Sequence, residues 1–375
     1  MTRAWEGGAH VTVESRSGAY PVLVEPGAYR RLPALLRDLV PGHRYAFISD
    51  DVVGPLHGEP LVAASRAAGL AATLFTFPAG EGSKTRKQWS ILTDEMLSAT
   101  MGRDTVVVAV GGGVVGDLAG FVAATFLRGV PLVQVPTSLV AMIDSSVGGK
   151  TGVDVKAGKN LVGAFHPPAA VIIDPEAART LNARERAQGL AEAVKHGAIL
   201  DEGYLARLAQ HASALLAGDV DATEWAVARS VELKADVVSR DERESGLREI
   251  LNFGHTFGHA MEAASGYTLR HGDAVAAGMV LESRLGEALG VTDAGTTSRL
   301  EDALSAFGLG SVPSVSGGAA AALAFLGADK KARQGRPRFV LLRRVGCVAK
   351  ADTWSREVPR DTVEAMLTHG MGTGG

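Results

Sequence analysis

The sequence is poor in cysteine and in aromatic side chains. Its 375 residues contain one cysteine, Cys347, and 5% aromatic residues. A single cysteine excludes an intrachain disulfide framework and a cysteine-based zinc site, so we interpret Cys347 as a small residue near a strand end. No apolar run reaches the ~20 residues that a membrane span needs, and the first residues lack the apolar region of a signal peptide. We therefore expect a soluble cytoplasmic protein.

An excess of charge of one sign is also lacking. Lys and Arg number 38 against 41 Asp and Glu, for a net charge of −3, and no basic run stands out. This balance argues against nucleic acid and anionic membranes as partners, but a small anionic substrate held by local charges remains compatible with it. With 46% hydrophobic residues, the chain can bury sizeable cores, and its length suggests about two domains.

Short β-branched segments alternate with helical patterns in the first half of the chain. This alternation predicts a largely parallel sheet covered by helices. The almost wholly apolar segment 106–110 is typical of a central strand buried on both sides. Helical patterns cover 30–39 and 85–99. The predicted strands are 10–14, 20–24, 45–49, 73–77, 105–110, 131–135 and 171–174.

The pattern changes after residue 174. Asn182 followed by Glu185 resembles a capping box, and from there one helical pattern follows another. Only 338–342 suggests a late strand. We place a domain boundary near residue 180.

A glycine-rich turn follows the strand at 105–110. Residues 111–116 satisfy G-x-G-x-x-G between a strand and a helix, a pattern that brings backbone N–H groups close to a pyrophosphate. An isolated match is equally well explained as a plain tight turn. No acidic residue follows about 20 residues later as ribose partner, but Asp50, at the end of an earlier strand, is placed to take that part. A second turn, Gly148-Gly149-Lys150, could hold another phosphate.

Polar groups recur between residues 248 and 262 where a helix usually places apolar ones. Spacings of four, three, four and three put them on one face of a helix. Gly254 and Gly258 lie inside this segment, each costing up to about 1 kcal/mol of helix stability. Such a face suits a cavity that holds a metal ion and an anion. The polar residues are Arg248, Asn252, His255, His259 and Glu262.

Several of these groups are candidate zinc ligands, since a catalytic zinc site uses three His or carboxylate ligands. From spacing alone, His255 and His259 could both bind the ion, and His271 could fold back towards them. Glu192 and Lys195 share a helix face. Taken singly, each residue is more simply explained as a solvated charge or a satisfied histidine.

Lys234 changes that balance. It lies on the apolar stripe of its helix, where a lysine is costly unless an anion meets it. Arg248 adds a second cation. Cations and possible ligands together indicate an anion-and-metal pocket.

Taken together, the motifs strongly resemble the dehydroquinate synthase family, and the match runs nearly end to end. They are residues 80–84, GGGVVGDLAGFVAATFLRGV from 111, VPTSLVAMIDSSVGGKTGVD from 135, GKNLVGAFHPP from 158, GLAEAVKHG from 189, LKADVVSRDERESGLREILNFGHTFGHAME from 233, HGDAVAAGM from 271 and DKK from 329.

The resemblance implies a Rossmann-like α/β domain over 1–180, an all-α domain over 181–375 and an active site in the cleft between them. It implies a homodimer, bound NAD⁺ and a catalytic Zn²⁺, for which Co²⁺ is a possible substitute. The implied metal ligands are Glu192, His255 and His271. In this family the counterpart of His259 contacts the substrate phosphate, which overrules the spacing argument for that residue.

The resemblance also assigns the other site residues. The phosphate is assigned to Lys150, Asn160, Asn252, a lysine of Lys330 and Lys331, and Arg128 from a neighbouring subunit. The substrate carboxylate is assigned to Lys234 and Arg248, and the ring hydroxyls to Asp144 and Lys195. NAD⁺ is assigned to Asp50, Ala79, Gly80, Glu81, Gly82, Ser83, Lys84, Gly113, Val114, Val115, Gly116, Asp117, Thr137, Ser138, Lys150, Lys159, Ala177, Ala178, Arg179 and Thr180.

Three positions depart from the family pattern. Ser138 replaces a usual Thr and keeps the hydroxyl. Ala79 stands where many members have Asp, which removes one polar contact near the adenosine. Asp273 replaces a frequent Glu beside His271, which alters the support of that ligand.

The implied reaction converts 3-deoxy-D-arabino-heptulosonate 7-phosphate to 3-dehydroquinate and phosphate, the second step of the shikimate pathway. It proceeds by transient oxidation, phosphate elimination, reduction, ring opening and aldol closure. Rival cyclases of sedoheptulose 7-phosphate or glucose 6-phosphate act on substrates without a carboxylate. Polyol dehydrogenases would release reduced NAD, and a non-catalytic NAD-binding regulatory protein would have a degenerate pocket.

Overall fold

A computed structural model describes residues 9–313, 315, 317–326 and 337–370. The chain forms two compact units. The first runs to Asn182 and also includes Thr223–Glu242; the second comprises Ala183–Ala222 and the chain from Arg243 onwards. A single cut near residue 180 therefore omits the return of one later segment to the first unit.

Nine strands lie in the described part of the first unit, and seven of them form one sheet in the order β1-β2-β9-β6-β5-β3-β4. Only the β1–β2 pair of this sheet is antiparallel. The seven predicted strands are confirmed to within one residue. The strands are β1 (Ala9–Val13), β2 (Tyr20–Val24), β3 (Arg44–Asp50), β4 (Ala72–Phe77), β5 (Thr105–Gly111), β6 (Leu132–Pro136), β7 (Lys150–Val155), β8 (Gly158–Phe165) and β9 (Ala170–Ile173).

Thirteen α-helices lie in the described residues. They are α1 (Leu32–Leu39), α2 (Glu59–Ala67), α3 (Arg86–Ser98), α4 (Gly113–Thr125), α5 (Ala183–Leu200), α6 (Glu202–Gln210), α7 (Ala212–Ala217), α8 (Val220–Arg240), α9 (His255–Ala264), α10 (His271–Ala288), α11 (Thr296–Ser305), α12 (Gly318–Leu326) and α13 (Arg360–Gly370). None of these helices is both long and apolar enough to cross a membrane.

Helices cover both faces of the sheet because its central strand is apolar on both sides. Val107 and Ala109 of β5 join one core cluster with residues of α3 and α4. Val106 and Val108 join the other, with residues of α1 and α2. The predicted parallel α/β unit is confirmed, and β5 is buried throughout.

The antiparallel β7–β8 hairpin was not predicted. Half of β8 is exposed, so its sequence lacks the apolar pattern of a core strand. Gly152 and Gly163 face each other across the pair; a Cβ on Gly163 would lie 2.1 Å from the Thr151 carbonyl oxygen. The glycines therefore allow the close backbone approach on which this hairpin depends.

The second unit is helical, with one correction to the expected all-α domain. The predicted strand at 338–342 is two strands in two separate ladders, β10 with β13 and β11 with β12, because the chain leaves the first ladder at Val340 and Leu341. The strands are β10 (Arg338–Phe339), β11 (Leu342–Arg344), β12 (Cys347–Val348) and β13 (Arg356–Glu357). Cys347 lies in a strand, half-buried.

Candidate active site

The sheet of the first unit has a topological switch point between β3 and β5. From β3 the chain continues to β4 on one side, whereas β5 and β6 lie on the other. Asp50 ends β3 and Gly111 ends the neighbouring β5. Open α/β sheets bind their ligands at such a point, beyond the carboxyl ends of the strands.

The glycine turn at this point is shaped by close packing. A Cβ on Gly111 would lie 2.4 Å from Val115 Cγ2, and one on Gly116 would lie 2.9 Å from Gln134 Oε1. Helix α4 begins at Gly113, and its first-turn N–H groups have no acceptor within the helix. The turn thus presents backbone donors at a helix N-terminus, an arrangement that fits the pyrophosphate of a dinucleotide.

Three of the predicted NAD-binding segments meet beside this turn. Lys84, 4% exposed, places Nζ 2.7 Å from Asp117 Oδ2 in the first turns of α4. Glu81 Oε1 lies 3.8 Å from Lys84 Nζ and 3.6 Å from Lys159 Nζ. Burial, with a smaller contribution from Glu81, raises the pKa of Asp117 although Lys84 lowers it. Burial opposes the charged form of Lys84, but Asp117 and Glu81 together raise its pKa.

Asp50 and Ala79 also lie in the first unit. Asp50 Oδ1 accepts hydrogen bonds from the N–H groups of Val52 (3.0 Å) and Val53 (2.7 Å). The Ala79 N–H donates to Asp51 Oδ1 at 2.8 Å. Asp50 thus has a structural role as a turn cap beside its predicted role as ribose partner, which stays a prediction.

The remaining predicted NAD contacts follow β6 and β9. The Thr137 N–H donates to the Gly111 carbonyl at 2.9 Å, which ties the residue after β6 to the glycine turn. A Cβ on Gly112 would lie 3.2 Å from Ser138 Oγ. The segment 177–180 closes a 3₁₀ turn after β9, and Thr180 Oγ1 lies 3.2 Å from His57 Nε2.

Lys234 of α8 is buried, as predicted, and the first unit supplies its anion. Its Nζ lies 2.9 Å from Asp144 Oδ1 and 2.5 Å from the Asp144 carbonyl oxygen. Asp144 lies in a π-helical turn, Ala141–Ser145, a geometry frequent at functional sites. A Cβ on Gly113 would lie 3.2 Å from Ser145 Oγ, so this turn lies against the glycine turn. The lysine on an apolar stripe is thus explained by one carboxylate.

The predicted phosphate-binding residues of the first unit occupy three local positions. Lys150 is exposed and opens β7. Asn160 has a left-handed backbone (φ 53°), and its N–H donates to Asp154 Oδ1 at 2.8 Å. Arg128 is exposed, with φ 74°. Lys330 and Lys331 lie outside the described residues.

In the second unit, three helices bring Glu192, His255 and His271 together. Glu192 of α5 is fully buried, and its Oε1 lies 3.0 Å from His271 Nε2 and 3.6 Å from His255 Nε2. One ligand atom of each residue falls within 4.8 Å of the others. Two imidazole nitrogens and one carboxylate oxygen are the donors that a catalytic zinc ion takes from protein.

Both rings are oriented through their other nitrogen. His255 Nδ1 lies 3.2 Å from the Phe253 carbonyl oxygen, and His271 Nδ1 lies 3.5 Å from Glu262 Oε1. Such partners commonly orient metal-binding histidines so that Nε2 faces the ion. Burial works against the protonated form of His271, but hydrogen bonds to Glu192 and Glu262 outweigh it and raise its pKa to about 10. The donor set and its supports therefore fit a divalent cation.

The segment 248–262 is not the single helix that its spacing predicted. A 3₁₀ turn covers Leu247–Asn252, Gly254 adopts φ 80°, and α9 begins at His255. The five polar residues therefore do not share one helical face. The prediction was wrong because a left-handed glycine, which no periodicity reveals, separates the two pieces.

Glycines explain how these helices approach so closely. A Cβ on Gly258 would lie 3.0 Å from the Ala274 carbonyl oxygen, and one on Gly272 would lie 2.4 Å from the Gln188 carbonyl oxygen. The helix stability lost at these positions is offset by the close contact of α9 and α5 with α10.

Asp273, which stands beside His271 where many family members have Glu, forms an ion pair with Arg184 at 2.7 Å.

His255 and His259 fall in different candidate clusters. The second cluster groups His259, Glu262 and His271. The rings of His255 and His259 are 5.3 Å apart, edge to face. Neither cluster contains both histidines, as their spacing alone would have allowed.

Three further predicted residues lie in the second unit. Lys195 is buried with Nζ 2.5 Å from Glu192 Oε2, so the predicted shared face is confirmed. Arg248 is 3% exposed. The Asn252 side-chain amide donates to Glu244 Oε1 at 2.5 Å. Glu244 was not predicted, because it lies outside any helix, with φ 58°, where no helical spacing relates it to Asn252.

The chain shares this combination of a parallel α/β unit and a helical unit with solved sugar-phosphate cyclases. A solved 2-epi-5-epi-valiolone synthase from Streptomyces hygroscopicus, with NAD⁺ and Zn²⁺ bound, shares the fold at a TM-score of 0.82 and 30% identity, covering 93% of this chain and 95% of that one. The chain belongs to the 3-dehydroquinate synthase family. Its N-terminal family signature matches residues 74–188 and its C-terminal signature matches 189–332.

Curated relatives agree with this assignment. The 3-dehydroquinate synthase of Symbiobacterium thermophilum is 50% identical over 74% of this chain and 77% of the relative. The 3-dehydroquinate synthase of Neisseria gonorrhoeae is 41% identical over 95% of this chain and 99% of the relative. The similarity therefore spans both units.

Proposed function

We propose that this chain converts 3-deoxy-D-arabino-heptulosonate 7-phosphate to 3-dehydroquinate and inorganic phosphate. The observation that carries the proposal is the Glu192, His255 and His271 cluster, whose donors suit a catalytic zinc site, in a chain of this family. The glycine turn beside Lys84 and Asp117 supports a dinucleotide in the first unit.

We further propose that the chain uses NAD⁺ and Zn²⁺, as the solved relative at 30% identity binds both. When bound, NAD⁺ would supply a hydride acceptor and donor, and the ion would supply a Lewis acid. The chain's own residues position the substrate and compensate its charge. Glu192, His255 and His271 would hold the cation, and Lys195 would balance the carboxylate of Glu192.

We assign substrate binding to the residues that the family resemblance indicates. Lys234 would exchange part of its contact with Asp144 for the substrate carboxylate, which Arg248 also recognises. Asp144 and Lys195 would then accept and donate hydrogen bonds to ring hydroxyls. Lys150, Asn160, Asn252, His259 and Lys331 would hold the phosphate. Charge-assisted hydrogen bonds of this kind are stronger than neutral ones and fix the orientation of the substrate.

The test is release of inorganic phosphate from the heptulosonate phosphate by the purified chain with added NAD⁺. We expect turnover that a chelator abolishes and that added Zn²⁺ restores. Absorbance at 340 nm should show no net accumulation of reduced NAD, because the cofactor is regenerated in each cycle. Stoichiometric accumulation of reduced NAD would instead identify a dehydrogenase.

A rival cyclase specificity is tested in the same assay. The valiolone synthase relative shows that this fold also serves another cyclase. Sedoheptulose 7-phosphate lacks the carboxylate proposed to meet Lys234 and Arg248. We therefore expect turnover of the heptulosonate phosphate alone; preference for sedoheptulose 7-phosphate would contradict the proposal.

A cytoplasmic homodimer completes the proposal. Arg128, exposed and left-handed in its backbone, would reach the phosphate of a neighbouring subunit. Light scattering on the purified chain should give twice the monomer mass of 38.8 kDa. A monomer with full activity would refute the role of Arg128.

A further inference from the structure

Glu282 of α10 has no assigned role, yet its carboxylate holds the backbone on both sides of His255. It is fully buried. Its Oε2 accepts a hydrogen bond from the Gly254 N–H at 2.9 Å, and its Oε1 accepts one from the Thr256 N–H at 3.2 Å. The two donors belong to the residues immediately before and after His255.

The position matters because α9 begins at His255. The first N–H groups of a helix have no partner within it, and no side chain at the N-cap Gly254 caps α9. A carboxylate from a neighbouring helix meets this need and interacts favourably with the helix dipole. Glu282 thereby fixes the break at Gly254 (φ 80°) and the direction in which α9 starts.

The packing around Glu282 leaves the start of α9 little room to move. A Cβ on Gly278, one turn earlier on α10, would lie 1.9 Å from the Gly254 carbonyl oxygen. A Cβ on Gly254 would lie 2.5 Å from Met279 Cγ. Since α10 also begins with His271, one helix both carries one candidate ligand and positions the backbone of another.

We propose that Glu282 is a positioning residue of the metal site, acting through His255 and touching neither metal nor substrate. The inference rests on the proposed function, in which Glu192, His255 and His271 hold the cation. Because both carboxylate oxygens accept backbone N–H groups, Glu282→Gln keeps the size but sets an amide NH₂ against one donor. The His255 backbone then loses one of its two supports.

The test measures Zn²⁺ affinity of the full-length chain by competition with a chromogenic chelator. We expect Glu282→Gln to weaken Zn²⁺ binding roughly 10- to 100-fold, as for other groups that orient metal ligands. Ser283→Ala is the matched control, since Ser283 is the next buried residue of α10 and its Oγ lies 3.0 Å from Thr297 Oγ1 instead. The control should bind Zn²⁺ within about twofold of the parent chain, the scatter of context effects on a site it does not touch.

A second readout reports geometry. The visible spectrum of the Co²⁺-loaded chain depends on the arrangement of its ligands, so Glu282→Gln should shift it and Ser283→Ala should not. Glu282→Asp keeps two acceptor oxygens and should recover part of both losses. This variant also serves if Glu282→Gln does not fold.

The outcomes are distinct. A lower unfolding temperature with unchanged Zn²⁺ affinity and Co²⁺ spectrum in the Glu282 variants would make Glu282 a plain helix cap and overturn the inference. If the parent chain and His271→Ala bind Zn²⁺ equally weakly, the proposed metal site itself fails, and this inference with it. If the parent chain binds Zn²⁺ tightly and Glu282→Gln binds it more weakly, the metal site and the role of Glu282 are both supported.

Discussion

The polar groups of the two units differ in how their charges are balanced. In the first unit, each buried lysine meets a carboxylate of the same unit: Lys84 meets Asp117 and Lys234 meets Asp144. In the second, the carboxylate of Glu192 faces two histidines and a lysine, and Glu262 faces one of the same histidines. Paired charges are complete without a ligand, whereas converging donors of this kind are typical of a cation site. The paired lysines of the first unit can therefore exchange a carboxylate for an anionic ligand. The cluster around Glu192 in the second unit can bind a cation.

We expect the largest effect when one of the three candidate metal ligands is removed. His271→Ala should lose stoichiometric zinc and lower kcat at least ~10³-fold, because two remaining ligands do not hold a catalytic zinc ion. Metal analysis and phosphate release measure both losses. His211→Ala removes an exposed histidine of the same unit and serves as the control. Full zinc content in His271→Ala would show that His271 is not a zinc ligand, and the contrast between the two units would then fail.

Breaking a pair in the first unit should affect stability first. Lys84→Met leaves the half-buried Asp117 carboxylate without its partner, which we expect to cost about 3 kcal/mol. Calorimetry should show an unfolding temperature lower by roughly 6–12 °C for a unit of this size, and NAD⁺ affinity should fall. Asp117→Asn in the same background should recover part of the stability. No recovery would show that the pair does not act as a unit.

The other pair should affect catalysis while leaving the metal in place. Lys234→Ala should lower kcat/KM about 10- to 100-fold, the value of one or two charge-assisted hydrogen bonds to substrate. Zinc content should stay unchanged, in contrast to His271→Ala. Lys87→Ala, at an exposed position, is the control. Unchanged kinetics in Lys234→Ala would contradict its substrate role.

A change of pH without any mutation tests the same contrast. The pKa of His271 is raised to about 10 in the metal-free chain, so its ring is protonated at neutral pH and must lose a proton to bind an ion. Zn²⁺ affinity should therefore rise about tenfold per pH unit between pH 7 and 9, with about one proton released per ion. Chelator competition at pH 7, 8 and 9 measures this. A flat profile would show that no such proton is displaced.

Local pattern predicted the elements of the first unit well and its pairings less well. The strand at 105–110 was evident because an almost all-apolar segment suits only a strand buried on both faces. The stripe position of Lys234 predicted a buried cation that needs an anion, and it is buried. That Asp144, 90 residues away, supplies the anion is a long-range contact that no spacing encodes. The β7–β8 hairpin was missed because its strands bury little apolar surface.

The candidate metal site also shows how far local spacing can predict structure. Histidine and glutamate at telling spacings marked the segment, but helical periodicity assumes an unbroken helix. Gly254 breaks it, and Glu282, on another helix, holds the break in place.

The sequence by itself determined the residue types, the alternation of strands and helices, and the membership of a family, since these depend on local preference and on motifs in order. Tertiary structure decided which charges meet, that residues 223–242 return to the first unit, and that His255 starts a new helix. The physical reason is that a hydrogen bond or ion pair depends on distance in space, and packing sets that distance between residues far apart in the chain.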